Sequence, residues 1–147
     1  MTENWKSIEG YEGLYAVSDL GNVMSMDYKG SGLPGLLKPL NGTKYPRVCL
    51  CKDGMEEHRY IHALVMYSFV GPRPEGMQIN HKDGNKRNRA LTNLEYCTSA
   101  ENNRHAIATG LREMPKCAKH WRVKLTDSKV LEIRAYLAAG VRFLWEF

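Results

Sequence analysis

No apolar run in this 147-residue chain approaches the roughly 20 residues that a membrane-spanning helix needs. The longest, Ile61 to Gly71, is interrupted by His62, so a membrane protein is excluded and no membrane partner is expected. The start, Met1-Thr2-Glu3-Asn4-Trp5-Lys6, lacks the basic residues and apolar stretch of an export signal, and the expected compartment is the cytoplasm. Cysteine is sparse: Cys49, Cys51, Cys97 and Cys117 contain no C-x-x-C pair, which removes the usual zinc-knuckle spacing. Disulfides are not expected in a reducing compartment, and the four residues read as buried free thiols. There is no internal repeat. With 43% hydrophobic and 25% charged residues the composition is ordinary for a globular chain, and a chain of this length can bury one modest core.

The charge is present but uneven. Between Asn103 and Lys124 stand Arg104, Arg112, Lys116, Lys119, Arg122 and Lys124 against the single acid Glu113. The whole net charge of +5 therefore lies in that strip. A basic strip of this kind suits phosphate neutralisation better than a uniformly basic surface does.

Along the chain, Tyr15-Ala16-Val17 and Val23-Met24-Ser25 flank Gly21-Asn22 as a tight hairpin. Gly30-Ser31-Gly32-Leu33-Pro34-Gly35 reads as a loop, and Arg47 to Cys51 alternates like a strand. The dense apolar segment Arg59 to Val70 is either strand-to-helix or a buried helix, and periodicity leaves the two open. A further helix is well marked: Thr98 is its N-cap, Glu101 completes a T-x-x-E capping box, and Gly110 sits just past its end. After a basic segment containing Pro115, Thr126-Asp127 opens a last helix. It carries Val130, Ile133 and Leu137 as a packing stripe and closes at Gly140. The residues from Val141 to Phe147 are too few for a recognition helix, and they read as a tail cut short whose aromatics would favour self-association.

One constellation carries chemistry. Ile79-Asn80-His81-Lys82-Asp83-Gly84-Asn85-Lys86-Arg87-Asn88 is followed by Thr92-Asn93-Leu94-Glu95-Tyr96-Cys97 and then by Glu101-Asn102-Asn103-Arg104-His105-Ala106. It predicts a strand ending at Asn80-His81, a polar loop, a return strand near Leu94 to Cys97, and a helix directing Asn102 back at the hairpin. This pattern resembles the HNH endonuclease family, whose ββα-metal motif places a His, a central Asn and a helical Asn or His at this spacing. Upstream, Trp5 to Ser18 with Gly21-Asn22-Val23-Met24-Ser25 is similar to the NUMOD4 module that precedes HNH motifs in phage and intron homing endonucleases. The resemblance implies an α+β fold: an N-terminal β module over 1–52, an HNH ββα-metal (His-Me finger) core over 53–110, and a basic linker with a truncated helix-turn-helix-like tail over 111–147.

Phosphodiester hydrolysis needs a base for water, a cation for the developing charge, and a means of holding both in line. His81 suits the base, and the nearby Lys82, Lys86, Arg87 and Arg89 favour its neutral form. Asn80 and Asn102 can each offer a carbonyl oxygen to a hard divalent ion, Mg2+ or Mn2+. Asn93 is expected to fix the polar loop and the His81 backbone. Well-known members of the family carry Asp immediately before the catalytic His, whereas here that residue is Asn80. His105 reads as a surface helical residue, His62 as a satisfied core or near-site histidine, and Asn85 and Asn88 as left-handed turn formers. The expected partner is double-stranded DNA, contacted by Lys82, Lys86, Arg87, Arg89, Arg104, Arg112, Lys116, Lys119, Arg122 and Lys124. A monomer with one site would nick one strand. The rivals are a DNA-binding protein that has lost cleavage and an RNA-processing nuclease.

Overall fold

Why the apolar segment Arg59 to Val70 changes from strand to helix is visible in the computed structural model, which describes residues 2–40, 42–113 and 127–138. Strand β5 (Arg47–Lys52) pairs antiparallel with β6 (Met55–Tyr60). Between them Asp53 (φ +52°) and Gly54 (φ +75°) form a two-residue turn, the positive φ pair that a tight hairpin demands. Every residue of β6 is exposed, so the strand shows no apolar alternation, and of it the strand-to-helix reading contains only the end, Arg59-Tyr60. The chain then passes directly into α1 (Ile61–Phe69), which buries Ile61, Leu64, Val65 and Met66 at helical spacing. The N–H of Ile61 is satisfied by the carbonyl of Pro46 at 3.0 Å.

The N-terminal residues form a four-stranded antiparallel sheet in the order β1 (Trp5–Ser7), β2 (Tyr15–Ser18), β3 (Val23–Ser25) and β4 (Gly35–Leu36). Thus the glycine-rich loop contributes a two-residue edge strand at its end. The expected hairpin around Gly21-Asn22 is present as β2–β3. Gly21 is required there twice over. Its φ is +81°, and an added Cβ would lie 2.2 Å from Cγ of Arg89. Along β5, Val48 and Leu50 take the buried positions, so period two turns Cys49 and Cys51 away from the core. Only Cys97 of the described cysteines is buried; Cys49 is half-buried and Cys51 exposed. That corrects the reading of all as buried thiols, and Cys117 lies outside the described residues.

One hydrophobic core takes Val17 and Val23 from the first sheet and Ile8 just after β1, Val48 and Leu50 from β5, four residues of α1, and Leu94. The hydroxyl of Tyr15 adds a polar tie, accepting from Cys51 N–H at 3.0 Å and donating to its carbonyl at 3.2 Å. The expected boundary at 52/53 therefore falls on the turn of a hairpin inside a core shared by both sides. Residues Met1–Arg112 form one compact unit and Glu113–Phe147 a second.

Within the first unit, β7 (Met77–His81) pairs antiparallel with β8 (Leu94–Thr98), placing Asn80 opposite Glu95 and His81 opposite Leu94. Strand β8 leads into α2 (Ser99–Ala108) through the expected capping box. Glu101 Oε2 accepts from Thr98 N–H at 2.8 Å, and Thr98 Oγ1 accepts from Glu101 N–H at 3.3 Å. Beyond Thr109, Gly110 takes φ +69°, the left-handed end that glycine favours. In the second unit, α3 (Asp127–Ala138) carries half-buried Val130 and Ile133 with an exposed Leu131. The side chain of Leu137, Thr126, Gly140 and the segment 141–147 lie outside the described residues. Among the described residues no helix is long and apolar enough to cross a membrane.

Candidate active site

Alternation along β7 distributes the site. Period two puts Gln78 and Asn80 on one face of the hairpin and Ile79 and His81, the last strand residue, on the other. Asn80, His81 and Asn102 line one cavity of about 310 Å3, together with Tyr45, Lys86, Asn103, His105 and Arg112. Both candidate ligand amides are tethered through their NH2 groups. Asn80 Nδ2 donates to Glu95 Oε1 at 2.8 Å, and Asn102 Nδ2 donates to Gln78 Oε1 at 2.8 Å. In each case the carbonyl oxygen is the end left for a cation.

His81 is 5% exposed. Burial lowers its pKa below the ordinary histidine value, Lys86 acts in the same direction, and Asp83 opposes both. The basic loop is therefore not the main cause of its neutrality, because desolvation acts on the ring directly while exposed charges are screened by water. Asn93 holds the loop from beneath and does not line the cavity. Its Oδ1 accepts from Asp83 N–H at 3.0 Å. Its Nδ2 donates to Asp83 Oδ1 and to the carbonyl of Asn88, both at 2.9 Å. Its carbonyl accepts from Lys82 N–H at 2.9 Å, one residue past His81.

Asn85 and Asn88 shape the same loop through side-chain bonds. Arg87 N–H donates to Asn85 Oδ1 at 3.0 Å, and Asn88 Nδ2 donates to Asp83 Oδ2 at 2.6 Å. Neither has a positive φ, so they are not the left-handed turn formers that their composition suggests; the amide as hydrogen-bonding group decided their use. The N-terminal sheet braces the loop: Leu91 N–H donates to the carbonyl of Asp19 at 2.7 Å, and Arg89 packs over Gly21.

The candidate DNA contacts separate. Lys86 and Arg112 line the cavity, with Lys86 5.5 Å above the Tyr45 ring and Arg112 Nη1 donating to Asn103 Oδ1 at 2.7 Å. Lys82, Arg87 and Arg104 are exposed nearby. Arg89 is half-buried and, with Arg87, borders a neighbouring depression between Thr43 and Leu20. Lys116, Lys119, Arg122 and Lys124 lie outside the described residues.

Four residues at the site escaped the sequence reading or were underrated. His105 is half-buried and its Nε2 bonds the carbonyl of Lys82 at 2.9 Å; its position three residues after Asn102 was the signal. His62 is near the site but is not satisfied, since its buried Nδ1 has no partner among the described residues. Tyr45 and Glu95 carried no local signal, because only the tertiary fold and the β7–β8 register bring them in.

The residues can serve a hard divalent ion, which takes oxygen donors from carboxylates, amide carbonyls, phosphates and water; here the protein would offer the amide carbonyls. Among the described residues no three His, Cys, Asp or Glu side chains are grouped to hold a metal ion, so the protein donors near the cavity are the two amides. A ββα hairpin with a buried histidine at the strand end and two tethered amides above it defines a class. The chain belongs to the HNH endonuclease family, whose profile matches residues 59–104, while the NUMOD4 motif matches residues 3–51. It is 36% identical over 120 residues to the DNA endonuclease I-HmuI of Bacillus phage SP01, covering 82% of this chain and 67% of that enzyme. An uncharacterised HNH endonuclease, L247, of Acanthamoeba polyphaga mimivirus is 37% identical over 122 residues, 80% of this chain and 29% of that protein. A solved structure concerning DNA binding and cleavage by the HNH homing endonuclease I-HmuI superposes with a TM-score of 0.63 at 33% identity, covering 92% of this chain and 68% of the other. The chain thus spans about two thirds of the phage enzyme and less than a third of the mimivirus protein.

Proposed function

We propose that this chain is a metal-dependent DNA endonuclease that hydrolyses one phosphodiester bond per encounter and so nicks one strand. The observation that carries the reading is the convergence of Asn80, His81 and Asn102 on one cavity, with both amides held through their NH2 groups. His81, buried and neutral, takes the proton from the attacking water. A divalent ion bound by the Asn80 and Asn102 carbonyl oxygens would stabilise charge on the phosphate and the leaving oxygen. Lys86 and Arg112, on the same cavity, hold the flanking phosphates. Asn93 keeps the loop and the end of β7 in register, so the base does not have to be ordered at each turnover. The protein side chains give the ion no formal charge at Asn80 or Asn102, so ion binding is weak until a phosphate arrives.

The test is relaxation of supercoiled plasmid with Mg2+ or Mn2+, run beside His81→Ala. Nicked circles from the wild type and a loss of about 100-fold or more in the variant are expected for removal of a general base. Equal nicking by both proteins would exclude His81 as the base. No nicking by either would favour a DNA-binding protein without cleavage.

A further inference from the structure

Two buried ring nitrogens beside the cavity have no hydrogen-bond partner among the described residues: Nε2 of His81 and Nδ1 of His62. Buried polar groups without partners are rare in native proteins. These two belong to touching rings, whose centroids are 5.3 Å apart at an interplanar angle of 69°. Tyr45 closes the cluster, 5.2 Å from His62 and 5.8 Å from His81, and Tyr60 stacks on His62 at 5.6 Å. His62 is the second residue of α1, directly after the buried Ile61, so its backbone is anchored in the core.

A neutral imidazole carries one donor and one acceptor, and burial holds the His62 pKa down at about 4. His62 is therefore neutral near pH 7 and has one acceptor to offer. We propose that His62 is a positioning residue for His81: its Nδ1 accepts a hydrogen bond from Nε2–H of His81, directly after a small ring rotation or through one water. This arrangement leaves Nδ1 of His81 unprotonated and available to the cavity. The logic is that of a hydrolytic triad, in which a third group selects the tautomer of the base. Here the third group is neutral, so it orients the base without adding a negative charge to a site that must admit phosphate. The catalytic consequence rests on His81 being the base; the hydrogen bond itself does not.

The experiment reads the tautomer of His81 by long-range 1H–15N NMR on the 15N-histidine-labelled full chain, without DNA or metal, with the signal assigned by its loss in His81→Ala. His62→Phe keeps a ring but removes the acceptor, and His62→Asn offers an amide oxygen near the position of Nδ1. The wild type and His62→Asn are expected to hold His81 as the Nε2–H tautomer, and His62→Phe to show a mixture. An Nδ1–H tautomer in the wild type, or an unchanged His81 signal in His62→Phe, would overturn the proposal. In plasmid nicking, His62→Phe should lower kcat about tenfold or more with little change in KM, and His62→Asn should recover most of it. Failure of the base reading is visible separately, as wild-type nicking by His81→Ala, and it leaves the tautomer comparison intact.

Discussion

Replacing Asn93 by Ala tests whether the polar loop is held by that side chain. Asn93 is 8% exposed, and its amide satisfies two main-chain groups, the N–H of Asp83 at 3.0 Å and the carbonyl of Asn88 at 2.9 Å. Each such bond contributes about 1 kcal/mol net, and a backbone group left unpaired out of reach of water costs at least as much. The third bond, to the exposed carboxylate of Asp83, is not counted, because water replaces it. The loss is therefore about 2 kcal/mol. For a unit of this size that lowers Tm by about 8 °C at roughly 4 °C per kcal/mol. Thermal unfolding followed by circular dichroism measures it. A shift below about 2 °C would show that the loop is held by Asp83, Asn85 and Asn88 without Asn93, and the supporting role would have to be withdrawn.

Other perturbations probe charge and protonation. Asn80→Asp adds a negative oxygen where the amide now stands against Glu95, and it should tighten Mn2+ binding by titration calorimetry; an unchanged or weaker affinity would remove position 80 from the ion's shell. Because the His62 pKa lies at about 4 in the fold against about 6.5 unfolded, its contribution to stability is complete above about 6.5 and declines as pH falls towards 4. Urea unfolding at pH 7 and pH 5 should show that extra loss in the wild type and not in His62→Asn; equal losses would contradict it. If about five phosphates are neutralised by the strip from Arg112 to Lys124, log affinity for duplex DNA should fall with log salt at a slope of about −4.5. A slope near zero would show that the strip does not touch the backbone.

The local motifs were legible because each is written in adjacent residues. Thr98 and Glu101 announce the start of α2 by capping chemistry, and Gly21 announces a turn by the φ that it alone takes cheaply. The spacing of Asn80, His81, Asn93 and Asn102 determined that a strand, a loop, a strand and a helix would converge. Most of the hairpin partner β6 was hidden because a strand exposed at every position carries no alternating pattern, although Asp53-Gly54 marks its turn. What neutralises His81 was decided in three dimensions: desolvation by packing against Tyr45 and His62 depends on residues 36 and 19 positions away, and no periodicity records it. The same holds for the tethering of the two amides. Sequence alone determined which chemical groups this protein possesses and roughly which elements carry them. Only the tertiary structure decided which end of each amide is tied by a hydrogen bond and which ring nitrogens are left without partners, because hydrogen-bond direction and burial are properties of packed neighbours and not of neighbours in the chain.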